Sequence, residues 1–313
     1  MLKIKMICLY LAISTAGLAQ NLSNMYSPSE LQYWQTRYPE NIRWNFRNLI
    51  LDKLTTAEYE TLGRVNIECP IFGAGETRKS PLTYYRSGRT ITVPIFSIKF
   101  FDDICISYAW LEENNFTLMT ISEYLAMLKY RHEDDFPNSA FPSPVSALQI
   151  PETALLNSRV DQISQNMLKS AIVFILAHEL GHIYHNHPGY NNISSSTAQT
   201  NELQADKFAM EIMRRIGIAP VGIVNFAMMM FQLGLIREDF RDAEKWQNYL
   251  QNSATHPMTS DRLYLISQVL RRNATDFTKY EPDRHLGVQR ILNIADQIDQ
   301  IATEMDDLTR QKN

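Results

Sequence analysis

The sequence predicts a mostly helical α+β fold, and three observations lead to this prediction. Apolar residues recur at helical spacing through most of the second half of the chain. Two runs rich in aromatic and β-branched residues, Leu82–Arg86 and Thr90–Pro94, flank Ser87-Gly88 and predict one β-hairpin. The proline-rich residues 137–151 predict a stiff connector between the two halves.

The N-terminal half is predicted to contain helices on either side of the hairpin. Residues 20–62 are expected to be helical, the hairpin lies within residues 65–96, and a helix follows over Ser97–Glu113. The segment Thr120-Ile-Ser-Glu123 has the spacing of a capping box and predicts the start of another helix.

The C-terminal half is predicted to be nearly all helix. The predicted helices span about residues 159–187, 200–215, 220–235, 238–252, 259–271 and 284–310. The last pattern is amphipathic and charged, so we expect a solvated terminal helix; a helix that wraps the domain or serves a partner is the alternative.

One apolar segment, Ile216–Ile236, carries no charged residue and is long enough to span a bilayer. Gly217 and Pro220 predict a turn inside it. We therefore expect a buried core helix from Val221 to Leu235 and no stable membrane span.

The N-terminus has the pattern of a secretory signal peptide. Lys3 and Lys5 precede an uncharged, mostly apolar stretch, and Gly17-Leu18-Ala19 places small residues at a cleavage site. We expect cleavage near Ala19 and a periplasmic or secreted protein; an uncleaved anchor or a buried first helix is the alternative. Cys69 and Cys105 would remain after cleavage, as one disulfide or as two buried thiols.

The segment His178-Glu179-Leu180-Gly181-His182 follows an apolar run and has the form H-E-x-x-H. On a helix, residues four apart share a face, so both imidazoles can point at one metal ion. Glu179 is close enough to act on a water molecule there. Two histidines and an adjacent carboxylate are what zinc-assisted peptide hydrolysis requires.

A carboxylate pair about twenty residues later supplies a candidate third ligand. Glu202 and Asp206 are four residues apart on a predicted helix and therefore share a face. A carboxylate suits zinc as an oxygen ligand, and a second one a turn away suits the hydrogen bond that orients a ligating histidine. A solvated acidic start of a helix is the competing interpretation.

H-E-L-G-H followed by E-x-x-A-D resembles the HtpX-like and CAAX-prenyl-protease-like metallopeptidases, which are gluzincins and include soluble periplasmic members. The resemblance covers about residues 165–265. It implies a zincin-like fold with a small sheet, one Zn²⁺ per chain, Glu202 as the third zinc ligand and Asp206 orienting His178.

The segment Thr255-His256-Pro257-Met258-Thr259-Ser260-Asp261-Arg262 is similar to the H-P-x-T/S-x-x-R segment of the same family. The resemblance implies that His256 lies near the metal, where it stabilises the oxyanion or caps a latent site. It also implies that Arg262 braces this region. A capped helix start with a surface histidine is the alternative.

Two further histidines, His185 and His187, lie just past the motif. We expect them to be solvated at the C-terminal end of the helix, where cations are favourable.

These observations predict four parts of the chain: a signal peptide at 1–19, a helical and hairpin region at 20–150, a zinc metallopeptidase core at 151–272 and a C-terminal helix at 273–313. The net charge of −4 and the lack of a basic cluster exclude a nucleic-acid partner. We expect an endopeptidase that acts on proteins or peptides, with misfolded envelope proteins as the substrates that the resemblance implies. The alternative is a latent or non-catalytic zinc-binding chaperone in which His256 closes the site as a fourth ligand.

Overall fold

The computed structural model describes residues 21–73, 80–189, 193–234, 239–240, 242, 244–245 and 258–310. The predicted signal segment, most of the predicted helix at 238–252 and the site candidate His256 lie outside the described residues. The chain divides into two compact units. The first comprises the residues up to Arg37, Cys69–Thr83 and Val93–Gln165, and the second comprises Tyr38–Glu68, Tyr84–Thr92 and the residues from Asn166 onward. The predicted boundaries near residues 150 and 272 stay a prediction.

The described residues are mostly helical, as the sequence predicts. The α-helices are α1 (Pro28–Gln35), α2 (Tyr38–Asn45), α3 (Thr56–Leu62), α4 (Ile95–Glu113), α5 (Met119–Tyr130), α6 (Pro144–Ala147), α7 (Ser158–Tyr184), α8 (Ser195–Ile216), α9 (Val221–Leu233), α10 (Ser260–Arg272) and α11 (Arg284–Arg310). Single turns of other helix types lie at Phe46–Ile50, Leu51–Lys53, Glu133–Asp135, Pro137–Ser139, Ala154–Leu156 and Asp276–Thr278.

Helix α4 forms the centre of the first unit. Most of its residues are buried, and Phe96, Phe100 and Ile104 are fully so. The capping box predicted at Thr120 is wrong, because α5 already begins at Met119 and Leu118 is its N-cap residue. Thr120 lies inside the helix, where its hydroxyl donates to the Thr117 carbonyl.

Cys69 and Cys105 are buried and not joined by a disulfide. Of the two alternatives that the sequence leaves open, the structure shows the pair of thiols. Burial raises the pKa of the Cys105 thiol well above its usual value, and the neighbouring carboxylates Asp102 and Asp103 raise it further. Cys105 is therefore an apolar core residue and not a nucleophile.

The second unit contains a three-stranded sheet whose strands are β1 (Asn66–Glu68), β2 (Tyr85–Ser87) and β3 (Thr90–Thr92), in the order β1-β3-β2. Strands β2 and β3 form the antiparallel hairpin that the sequence predicts, and Gly88 adopts the positive φ of 56° that the tight turn requires. Strand β1 pairs in parallel with β3. The sequence did not predict this third strand, which is only three residues long.

The end of helix α7 and the start of helix α8 differ from the predicted bounds. Helix α7 ends at Tyr184, before the predicted residue 187, because Asn186 adopts a left-handed φ of 52°. Helix α8 begins at Ser195, well before the predicted residue 200, because the Ser194 hydroxyl accepts a hydrogen bond from the Thr197 amide and caps it. Glu202 therefore lies two turns inside the helix and not at its start.

Residues 216–234 form a turn and a packed helix, as predicted; the predicted helix end at Leu235 lies outside the described residues. Gly217 ends α8 with a φ of 82°, and Pro220 directly precedes α9. Helix α9 crosses α7 very closely: a Cβ at Gly222 would lie 2.0 Å from the Met167 carbonyl oxygen, and the Gly222 amide donates to the Ser170 hydroxyl. Within the described chain, no helix combines the length and apolar character needed to cross a membrane.

The C-terminal helix α11 packs against α10 along an apolar stripe. Ile291, Ala295 and Ile298 are buried on α11, and Leu263 and Ile266 are buried on α10. The expectation of a solvated terminal helix is therefore wrong for the face of α11 that packs on α10. The apolar residues of this face recur at helical spacing and are buried against α10.

A partly buried ion pair between Glu58 and Arg215 links α3 to α8 and predicts a pH-dependent stability. Burial alone would raise the pKa of the Glu58 carboxyl, but hydrogen bonds from Arg215 and Thr55 lower it below its ordinary value of 4.5. The ionised carboxylate therefore stabilises the fold above the pKa of the unfolded chain, and this stability is lost as the pH falls through the lower pKa of the folded state. We expect Glu58→Gln to reduce the free energy of unfolding by about 1–2 kcal/mol at pH 7.

Urea denaturation at pH 7 and at successively lower pH measures this difference. The exposed Glu60, on the same helix, provides the matched control, since Glu60→Gln is expected to unfold like wild type. A difference between Glu58→Gln and wild type that persists unchanged below the pKa of Glu58 would contradict the assignment.

Candidate metal centre

The H-E-x-x-H segment lies in the last two turns of helix α7, inside a buried stretch. The apolar residues Ala171–Leu176 that precede it are all buried, and His178, Glu179 and His182 are buried as well. Because the two histidines are four residues apart, the Nε2 atoms of their imidazoles converge to 3.0 Å.

Helix α8 brings a carboxylate to the same point. Nε2 of His178 lies 3.4 Å from one oxygen of Glu202, and Nε2 of His182 lies 3.4 Å from the other. This approach depends on Gly181, because a Cβ there would lie 2.9 Å from Cα of Ala205 and 3.0 Å from Cβ of Phe208. A glycine in the middle of the motif thus lets α8 pack directly on α7.

His178, His182 and Glu202 form a group of buried side chains that could hold a metal ion. Their converging atoms are separated by 3.0–3.4 Å. Ligands bound tetrahedrally to zinc at its usual bond lengths are separated by roughly 3.3 Å. The spacing and the chemistry of the three donors therefore fit a zinc ion.

Asp206 lies one turn after Glu202 and accepts a hydrogen bond of 2.8 Å from Nδ1 of His178. Burial opposes the charged form of His178, but the contacts with Asp206 and Glu202 outweigh it and raise the pKa to about 10. The two carboxylates thus favour a positive charge at this position, which a bound divalent cation would supply in place of the proton.

Arg262, near the start of α10, contacts both carboxylates. Its Nε and Nη2 atoms donate to the two oxygens of Asp206 at 2.6 and 2.9 Å, and Nη1 lies 2.9 Å from Oε2 of Glu202. Burial alone would raise the pKa of the Asp206 carboxyl, but the buried guanidinium of Arg262 outweighs this effect and lowers it. A forked, permanently charged donor fixes two buried carboxylates that would otherwise repel each other.

The end of helix α7 carries a further histidine that contacts the group. Helix α7 ends in a Schellman motif, in which Asn186 adopts the left-handed conformation. The Asn186 amide donates to the Ile183 carbonyl, and the His187 amide donates to the His182 carbonyl. This turn places Nδ1 of His187 2.9 Å from Nδ1 of His182. Nε2 of His187 lies 2.8 Å from Oε1 of Gln204 on α8.

The expectation of two solvated histidines holds for His185, which is exposed, and is wrong for His187, which is buried. Burial lowers the pKa of His187, and the nearby positive charge of Arg86 lowers it further, against the hydrogen bond with Gln204, which raises it. Asn186, a residue that tolerates the left-handed conformation, was the signal in the sequence that could have predicted the turn.

The structure brings five of the seven site candidates into contact: His178, His182, Glu202, Asp206 and Arg262. Glu179, the sixth, is buried and directly follows His178 in the chain. The seventh, His256, lies outside the described residues, and its role stays a prediction. Sequence reasoning missed His187, Gln204 and Arg86, which contact this group or the chain next to it.

The family model of Peptidase U49 matches residues 111–279, which is more than half of the chain and includes all seven candidates. The chain therefore belongs to the Peptidase U49 family, a family of peptidases. Comparisons with curated proteins and with solved structures find no match.

The close packing at Gly181 predicts a strong effect of one added methyl group. In an exposed helix, Gly→Ala would stabilise by about 1 kcal/mol, but here the methyl group would overlap the backbone of α8. We expect Gly181→Ala to lower the melting temperature and to weaken metal binding, since Glu202 would move away from both histidines. Gly189→Ala is the matched control, because a Cβ there meets nothing within 4 Å.

Thermal unfolding and metal titration of both variants test this expectation. Metal affinity and stability of Gly181→Ala equal to those of wild type would show that the helices do not need the glycine.

Proposed function

We propose that the chain is a zinc-dependent endopeptidase. The observation that carries the proposal is the convergence of His178, His182 and Glu202, beside Glu179, in a member of a peptidase family. Two histidines and a carboxylate also suit iron(II) in oxygenases. The glutamate directly after the first histidine favours hydrolysis, because that reaction needs a general base next to the metal.

His178, His182 and Glu202 would hold the metal. A bound zinc ion would supply Lewis acidity, which polarises the peptide carbonyl and acidifies water. Glu179 accepts a proton from the attacking water and then delivers it to the amine that leaves, so that one water molecule is consumed for each bond cleaved. Asp206 holds Nδ1 of His178 and so directs the Nε2 atom of this ring toward the metal.

The substrates would be proteins or peptides, which is what membership of a peptidase family supports. The proposal includes the likeness to HtpX-like gluzincins, with misfolded envelope proteins as substrates. It also includes stabilisation of the oxyanion by His256. The hairpin strand β2 lies at an edge of its sheet and is a candidate for pairing with an extended substrate strand.

Glu179→Gln tests the mechanism most directly. The amide retains the size of the side chain but cannot accept a proton, so we expect turnover of an unfolded protein substrate to fall by roughly 100-fold or more. The zinc content, measured by elemental analysis, should remain close to one ion per chain. Glu152→Gln, at an exposed position, is the matched control and should cleave at the wild-type rate.

If Glu179→Gln cleaved as fast as wild type, Glu179 would not be the base. Zinc in all three proteins together with cleavage by none would favour the latent or chaperone alternative. Iron instead of zinc in the elemental analysis would contradict the proposed metal.

Export is part of the proposal and rests on residues 1–19 alone. We expect the mature protein to begin at Gln20, because the small residues of Gly17-Leu18-Ala19 fit signal peptidase. N-terminal sequencing of the protein from the periplasm or medium measures this. A chain that keeps Met1 and its hydrophobic segment would point to an anchor or to a protein that is not exported.

A further inference from the structure

We infer that His187 is a positioning residue of the metal centre, which fixes the tautomer and the orientation of His182. This inference rests on the proposed metal site. It adds to that site a residue outside the H-E-x-x-H segment that contacts a ligand and not the metal.

The first step of the argument is the direction of the hydrogen bonds. His182 can bind a metal through Nε2 only if Nε2 has no proton, so that the ring proton is on Nδ1. Nδ1 of His182 then donates to Nδ1 of His187 at 2.9 Å. The proton of His187 must consequently be on Nε2, where it donates to Oε1 of Gln204 at 2.8 Å. Each donor in this chain of three side chains thus meets an acceptor.

The second step is the fixed position of His187. Its amide donates to the carbonyl of His182 at 3.0 Å as part of the Schellman motif. The carbonyl of His187 accepts a hydrogen bond from Nη2 of Arg86, a residue of strand β2. The same Nη2 atom also donates to the Pro188 carbonyl. The His187 backbone is therefore held from both sides, and the residue as a whole is 8% exposed. A partner held this firmly can orient a ligand.

The third step is the comparison between the two ligating histidines. His178 has the carboxylate of Asp206 as the partner of its Nδ1 atom, at 2.8 Å. At 2.9 Å, His187 occupies the equivalent place for His182. In metal sites, loss of such a partner typically lowers metal affinity by about 10- to 100-fold.

Zinc affinity provides the first test, measured by competition with a chromophoric chelator and without any activity assay. We expect His187→Ala to bind zinc roughly 10- to 100-fold more weakly than wild type. His187→Asn retains an acceptor oxygen near the place of Nδ1 and should restore most of the affinity. The control is His185→Ala, since His185 is exposed and its ring stacks on that of His187, with the two ring centroids 5.4 Å apart.

The ring tautomer of His182 provides a second test, which needs no metal. In metal-free wild type with ¹⁵N-labelled histidine, we expect the ring nitrogen shifts of His182 to show the proton on Nδ1. In His187→Ala this preference should be lost, whereas in His185→Ala it should remain.

The outcomes separate the inference from the proposed function. Zinc affinity of His187→Ala equal to wild type, or a proton on Nε2 of His182 in the metal-free protein, overturns the role of His187. If wild type binds no zinc, the proposed metal site is wrong, and the tautomer still decides whether His187 orients His182. If His187→Ala does not fold, His187→Asn and the wild-type tautomer decide.

Discussion

The packing of α8 on α7 at Gly181 is the constraint on which the rest of the site depends. Since position 181 has no side chain, the two backbones approach within contact distance at Ala205. Because the helices are this close, the carboxylate oxygens of Glu202 on α8 lie 3.4 Å from the Nε2 atoms of both imidazoles on α7. The close packing also brings Asp206 to His178, and Gln204 to His187 just past the end of α7.

The site is asymmetric in the partners of its two histidines. A negative carboxylate supports His178, whereas a neutral imidazole supports His182. A carboxylate partner makes a ligating ring more electron-rich than a neutral one does. In the proposed metal site, His178 would therefore be the stronger donor of the two, and the orientation of His182 would depend more on the geometry of the helix end.

The sequence predicted the features of the site that follow from short-range rules. The shared face of His178 and His182 follows from helix geometry, and the hairpin follows from the turn at Ser87-Gly88. The prediction was wrong where a local pattern competed with another, as at Thr120, which lies inside a helix that starts one residue earlier. The contact of His187 with Gln204 and the pairing of strand β1 join separate segments of the chain, which periodicity does not reveal.

Arg262 lies 56 residues beyond Asp206, and this separation has a consequence for biosynthesis. As the chain leaves the ribosome, the segments of α7 and α8 emerge well before α10. Until Arg262 arrives, closing the two helices would bury the Glu202 and Asp206 carboxylates without their guanidinium, at a cost of several kcal/mol. The candidate metal centre can thus be completed only after α10 has been synthesised, because Arg262 contacts both carboxylates.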